Sequence, residues 1–301
     1  MRIGVAATPE VALPTLDWLI SSKHEVIRII SQPDRAAGRG RKLRMSPVSN
    51  WAIEHNVPLI RPEAPQELIG SIEDLDCVLT IGYGVLLPET VLKLVRHGFI
   101  NLHFSLLPAY RGAAPVQRAI ENGEKSTGVT VFELDKGMDT GPIYCSSQIA
   151  IDPMWRAQEL FHELALMAPA VVECALNAIS RGEIPIPQQG QSSRAPKISK
   201  EEAKINWMQE RDIILRQIRG FYPAPISWST WKGESFRVTS AAAHSSVAPP
   251  GQLSIIDGTV VVGCANGGSI ALLSVIASGK KEMPAIDWAH GAQLEIGSHL
   301  G

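Results

Sequence analysis

The chain has 301 residues, 45% of them hydrophobic and 19% charged, with 28 Lys and Arg against 30 Asp and Glu for a net charge of −2. That length exceeds what one core usually organises, so two domains are expected, and the composition excludes disordered and fibrous classes. The balanced charge excludes a globally basic polyanion binder, which leaves any nucleic-acid contact local. Cys77, Cys145, Cys174 and Cys264 stand far apart in apolar stretches, with no C-x-x-C pair, and read as reduced, buried thiols of a cytoplasmic protein. The N-terminus runs straight into a strand pattern, and no run of about 18 apolar residues follows, so neither secretion nor a membrane partner is expected.

From Arg2 to about Ser180 short apolar runs alternate with helical patterns, as in βαβ units around a mostly parallel, doubly wound α/β sheet of the Rossmann-like kind. Strands are predicted at 3–7, 26–31, 59–61, 77–81 and 99–103. Helices are predicted at 9–21, with Thr8 as its cap, and at 47–55, 65–70 and 89–96. Two strands, 129–134 and 143–151, then flank a Gly- and Asp-rich turn, and a long amphipathic helix spans about 156–180. Residues 184–204, with three prolines and weak periodicity, hold the interdomain linker, set at 189–204 between a domain at 1–188 and another at 205–301. The second domain offers a helix at 211–219 and five short strands, which suggest a small C-terminal OB-like β-barrel. No internal repeat is present, and no apolar heptad or bare strand demands a partner chain, so a monomer is expected.

Asn101 and His103 fall on one face at the C-terminal end of a predicted strand, where open α/β sheets bind ligands. Taken alone, such a pair more often merely satisfies local backbone groups. The Pro- and Gly-bearing loop 104–115 follows, F-S-L-L-P-A-Y-R-G-A-A-P, and further on comes the turn D-K-G-M-D-T-G at 135–141. Together, N-L-H-F-S-L-L-P-A-Y-R-G-A-A-P and D-K-G-M-D-T-G resemble the paired signature of the folate-dependent formyltransferases. The resemblance implies that Asn101, His103 and Asp139 are catalytic. It also implies that Ser105, Leu106, Leu107 and Pro108 contact the folate, and that Ile81, Tyr83 and Gly84 of I-G-Y-G line its pterin side. The co-substrate it implies is 10-formyltetrahydrofolate, with no metal.

In that chemistry an amine attacks a formyl carbon, so a site must stabilise an oxyanion and remove a proton from nitrogen. Asn101 and His103 are candidate oxyanion donors. Asp139 either orients His103 and favours its charged form or takes the proton itself, directly or through water. Two departures from the family pattern stand out: Phe104 where a small residue is common, which would bear on the folate pocket, and Ala7 where the first turn often has glycine.

The acceptor is suggested by Q-P-D-R-A-A-G-R-G-R-K-L at 32–43, in which Arg35, Arg39, Arg41 and Lys42 fall within a Gly-rich loop able to follow a phosphate backbone. The same composition would serve a solvated loop. The stretch resembles the loop inserted in the family branch that acts on initiator methionyl-tRNA, where it enters the acceptor stem and where the key arginine matches Arg39. The resemblance extends to K-I-S-K-E-E-A-K-I-N-W at 197–207 and to G-K-K at 279–281, with Lys280 and Lys281 expected on a tRNA-binding barrel. DNA is not an expected partner. An amino-sugar formyltransferase or a formyl-folate hydrolase would share the two catalytic motifs but lack G-R-G-R-K. A silent tRNA-binding relative would have lost one of Asn101, His103 or Asp139, and all three are present.

Overall fold

A computed structural model describes residues 1–37, 42–295 and 297–301. The chain divides into two compact units, one made of Met1–Pro115, Ser126–Ala150 and Phe161–Pro196, the other of Val116–Lys125, Ile151–Leu160 and Lys197–Gly301. The stretch expected as a linker is divided between them after Pro196.

Along the first 180 residues the elements are β1 (Arg2–Ala7), α1 (Leu13–Ser21), β2 (Glu25–Ile30), β3 (Arg35–Ala37), β4 (Lys42–Arg44), α2 (Pro47–Glu54), β5 (Leu59–Ile60), β6 (Cys77–Ile81), α3 (Glu89–Leu92), β7 (Phe99–His103), α4 (Pro115–Glu121), β8 (Ser126–Glu133), β9 (Ile143–Ala150) and α5 (Ala157–Ser180). Seven of the strands form one sheet in the order β5-β2-β1-β6-β7-β8-β9. It is parallel from β5 to β7 and antiparallel at β8 and β9. The central strands are covered on both faces, which is why β6 reads C-V-L-T-I without alternation and is buried throughout. After β1 the chain steps outward to β2 and β5, then returns to the other side of β1 as β6. The sheet therefore reverses direction between β1 and β6, the position at which such sheets open a ligand crevice.

Helix starts follow local chemistry, with one correction. Ser46 caps α2, its hydroxyl accepting from the Ser49 N–H, and Pro47 opens the helix. Thr8 caps nothing. Residues 10–12 form a 3-10 turn, and the α-helix begins only at Leu13, with Pro14 in its first turn. The helices expected at 65–70 and 89–96 contract to a 3-10 turn at Pro65–Leu68 and one α-turn at Glu89–Leu92, because each buries only one turn's worth of apolar side chains.

The cysteine reading is also corrected. Cys145 on β9 and Cys174 on α5 form a disulfide, while Cys77 and Cys264 remain buried thiols. The partners are 29 residues apart in sequence and become neighbours only because α5 returns to the edge strand. Cys174 is exposed and Cys145 half-buried, so the assumption of four interior thiols fails at this pair. Among the described residues, α5 alone is long and apolar enough to cross a membrane, and half of its apolar window is buried within the chain.

In the second unit, α6 (Arg211–Gly220), β10 (Trp228–Trp231), β11 (Glu234–His244), β12 (Leu253–Ile256), β13 (Thr259–Gly263), β14 (Ser269–Ala277), β15 (Met283–Pro284) and α7 (Ala285–Ala292) follow. The strands pair antiparallel in the order β10-β11-β14-β13-β12, with β15 beside β14. Register shifts around Ser240 bend β11, and the sheet curls as an OB-like half-barrel over Phe236, Val238, Val260, Val262, Ile270 and Leu272. Ile214 and Ile218 of α6 and Trp288 of α7 complete that core.

Candidate active site

The carboxyl ends of β6 and β7 adjoin the reversal point, and strand alternation there directs Asn101 and His103 to one side. In the β6–β7 register Thr80 lies opposite Asn101. The Thr80 hydroxyl donates to Asn101 Oδ1 at 2.7 Å. This bond fixes which way the amide faces: its carbonyl oxygen is occupied, and its NH2 group is left to donate outward. Thr80 is 4% exposed, so water competes little for the bond.

His103 is buried, and its Nε2 lies 2.9 Å from the carbonyl oxygen of Tyr110. A carbonyl can only accept, so Nε2 carries a proton, and the neutral ring keeps its lone pair on Nδ1. Nδ1 faces Asp139 Oδ2 at 3.8 Å, an electrostatic distance rather than a hydrogen bond. Burial holds His103 below the ordinary histidine value, against the upward pull of Asp139 and of the Tyr110 carbonyl. Asp139 does pull towards the charged ring, but desolvation outweighs it and favours the neutral form.

Asp139 sits in the turn between β8 and β9 with φ +55°, a left-handed conformation that aspartate tolerates better than most residues. Its Oδ2 accepts from the backbone N–H of Gly112 at 2.8 Å. Gly112 needs to be glycine twice over: its φ is +123°, and a Cβ would lie 2.7 Å from the Ala195 carbonyl oxygen. Ala195 belongs to a strap running beside the 108–114 loop. Arg111 N–H donates to Ser193 O at 2.9 Å, Ala195 N–H to Arg111 O at 2.7 Å, and Tyr110 N–H to Ser193 Oγ at 2.9 Å. Thr80 and this strap escape a motif search, because their contribution depends on pairing across the fold.

The residues expected to contact folate differ in burial and in how their polar atoms are used. Ser105 is buried and donates to Ala109 O at 2.6 Å, while its own carbonyl accepts from Thr130 Oγ1 at 2.7 Å, so its polar atoms shape the loop. Leu107 is buried, Leu106 and Pro108 are half-buried, and the Leu107–Pro108 bond is cis. Ile81 and Tyr83 are buried, the Tyr83 ring among Leu87, Val91 and other core side chains. The I-G-Y-G segment therefore offers its backbone rather than its large side chains. The Gln32 amide donates to the Tyr83 carbonyl, and Gly84, at φ +73°, passes close beneath it. Phe104 packs edge-on against Phe161 of α5 with ring centroids 5.7 Å apart, so the helix accounts for its bulk.

Of the expected tRNA contacts, Arg35 is exposed at the start of β3, and Lys42 lies in β4 by its backbone. Arg39 and Arg41 fall outside the described residues. Lys280 and Lys281 are exposed on the turn after β14 in the second unit. Among the described residues no cluster of three or more His, Cys, Asp or Glu side chains has the arrangement of a metal site.

A family profile described as Formyl transferase matches residues 1–173, and its companion, Formyl transferase, C-terminal domain, matches residues 197–293. Methionyl-tRNA formyltransferase of a Nocardioides species is 40% identical over 100% of this chain and 98% of its own length. The enzyme of the same name from Salinispora tropica is 38% identical over 100% of both chains. The chain belongs to the formyl transferase family. In fold, the family member resembles HypX from Aquifex aeolicus in complex with tetrahydrofolic acid, with a TM-score of 0.71 and 18% identity over 98% of this chain. It spans about half, 48%, of that larger protein.

Proposed function

We propose that the chain transfers the formyl group of 10-formyltetrahydrofolate to the free α-amino group of methionine on initiator methionyl-tRNA, for translation initiation. The observation that carries the chemistry is the convergence, at the end of β7, of an Asn101 amide NH2 and a His103 Nδ1 that accept or donate no hydrogen bond among the described residues, on a buried ring facing Asp139. The choice of acceptor rests on identity of 38–40% along the whole chain with enzymes named for methionyl-tRNA, together with the basic loop at 35–42.

The neutral amine attacks the formyl carbon and forms the new N–C bond, leaving negative charge on the formyl oxygen and positive charge on the nitrogen. Asn101 donates its NH2 to the oxyanion. His103 Nδ1 takes the proton from nitrogen, and the imidazolium so formed lies beside the Asp139 carboxylate. Collapse breaks the bond between the formyl carbon and the folate nitrogen, and His103 returns the proton to that nitrogen as it leaves. The proton count closes without a covalent enzyme adduct. In this reading the segments at 81–84 and 105–108 hold the folate, and Arg35, Arg39, Arg41, Lys42, Lys280 and Lys281 meet the tRNA backbone.

The test is formyl transfer from 10-formyltetrahydrofolate to charged initiator tRNA, with an amino-sugar nucleotide and an amine-free reaction alongside. Transfer to the tRNA alone is expected. Transfer to the sugar, or hydrolysis only, would overturn the acceptor and leave the folate chemistry standing.

A further inference from the structure

The segment 184–196 looks like a featureless connector in sequence, yet one of its side chains spends every polar group it has on the active site. The Gln188 NH2 donates to the Asp139 carbonyl oxygen at 2.9 Å and to the Gly141 carbonyl oxygen at 2.8 Å. Its Oε1 accepts from Arg111 Nη2 at 2.6 Å and Nε at 3.2 Å. Gln188 therefore bridges two loops that have no covalent reason to keep register, the turn carrying Asp139 and the loop carrying Tyr110, Arg111 and Gly112. The 110–112 loop touches both members of the proton-handling pair, and the other loop carries Asp139 itself. The Tyr110 carbonyl orients His103, and the Gly112 N–H holds Asp139 Oδ2.

We infer that Gln188 is a positioning residue for the transfer reaction, setting the separation and angle between Asp139 and His103 by locking the 139–141 turn to the 110–112 loop. The inference rests on the proposed roles of Asp139 and His103. An amide suits this position where a carboxylate does not: two carbonyl acceptors on one side and a guanidinium donor on the other require one group that both donates and accepts. Asp139 holds a left-handed φ of +55°, so a conformation that the chain does not favour by itself depends on external bonds, and Gln188 supplies two of them at the residue's own carbonyl and two positions on. Because the His103–Asp139 contact is electrostatic, at 3.8 Å, drift of the turn weakens the carboxylate's influence on the ring.

The experiment compares Gln188→Ala and Gln188→Glu with the parent chain. The glutamate variant keeps side-chain length and the Arg111 partner but cannot donate to the two carbonyls, so it remains informative if the alanine variant folds poorly. Both are expected to lower kcat for formyl transfer about 10-fold or more, with KM for folate and tRNA changed by less than about 3-fold. The acid limb of the kcat profile should move to lower pH as Asp139 loses its hold on His103. A cycle with Asp139→Ala separates the two levels of the argument. If Gln188 acts through Asp139, adding Gln188→Ala to Asp139→Ala costs little further activity; an additive loss means general scaffolding and overturns the inference. Parent-like kcat in Gln188→Glu overturns it as well. Parent-like activity in Asp139→Ala alone would instead bring down the catalytic reading on which it stands.

Discussion

Replacing Thr80 with valine tests the claim that Asn101 is aimed rather than merely present. Valine keeps the branching of a side chain that is 4% exposed and removes only the hydroxyl that donates to Asn101 Oδ1 at 2.7 Å. The same hydroxyl lies 3.2 Å from the Ile100 carbonyl, but the shorter bond is the one that distinguishes the two faces of the amide. A single hydrogen bond of this kind contributes about 0.5–1.5 kcal/mol net. Spent wholly on orienting the oxyanion donor, that corresponds to about 2- to 13-fold in kcat at roughly 1.36 kcal/mol per decade. The ceiling is set by Asn101→Ala, which removes the donor itself and should cost about 100- to 1000-fold. Single-turnover formyl transfer at saturating folate and tRNA reads the chemical step directly, and Thr80→Ser, which restores a hydroxyl, should recover most of the rate. A valine variant as fast as the parent would refute the argument, as would a serine variant no better than valine.

An NMR titration should place His103 below its ordinary value of about 6.5, and Asp139→Asn should lower it further, since the carboxylate is what pulls it up against burial. Turnover should then hold at neutral pH and fall only below pH 6.5; an inflection above 7 would contradict a buried neutral base. Stability has the same sign. His24 and His103 are both depressed by burial, so their contribution is complete above about pH 6.5 and is lost as pH falls through their folded values, which denaturant midpoints at pH 7.5 and 5.5 would register. Gly112→Ala should cost about 1–3 kcal/mol, because it puts a Cβ at φ +123° and 2.7 Å from a carbonyl, and it should lower kcat by moving the N–H that holds Asp139. Wild-type-like denaturation would contradict the geometry. Thiol titration of the unfolded, unreduced chain should find two of four cysteines free, and the paired Cys145→Ser, Cys174→Ser variant should lose about 3–4 kcal/mol, given a closed loop of 29 residues. Four free thiols would remove that pair from the fold.

Much of the architecture was legible because it depends on local pattern. The apolar runs of β1 and β6, the Pro47 start of α2 and the alternation at Asn101 and His103 are all short-range signals, and each led to an element in the expected place. What escaped is long-range. Thr80 meets Asn101 through strand register, Cys145 meets Cys174 through the return of α5, and Ser193 meets Tyr110 through the strap. None of these pairs lies within a single element, so no periodicity announces them. The α7 helix is a different case: A-I-D-W-A-H-G-A carries a helical spacing of apolar residues that places Ala285, Trp288 and Ala289 in the core. No element is predicted there from sequence, although that spacing is present in it.

The state of His103 is where structure changes the mechanism rather than adding detail. Sequence left open whether Asp139 orients His103 and favours its charged form or takes the proton itself, and the Tyr110 carbonyl together with burial favours a neutral ring with its lone pair on Nδ1. A depressed base looks ill suited to deprotonating an amine, whose ordinary value is about 7.7–8.0 when it is an α-amino group. The order of events resolves this. At neutral pH a useful share of such amines is already uncharged, so attack needs no base, and the nitrogen that must lose its proton is the one in the tetrahedral adduct, where oxygen and nitrogen on the adjacent carbon make its N–H more acidic. A weak base suffices for that step. It then becomes a strong acid, ready to give the proton to the departing folate nitrogen, while Asp139 at 3.8 Å keeps the imidazolium from being too costly to form. Changes that raise the His103 value should therefore leave proton capture intact and slow expulsion of the folate. Changes that remove Asp139 should impede capture instead, so the two classes of variant are separable by whether the adduct's formation or its collapse limits turnover.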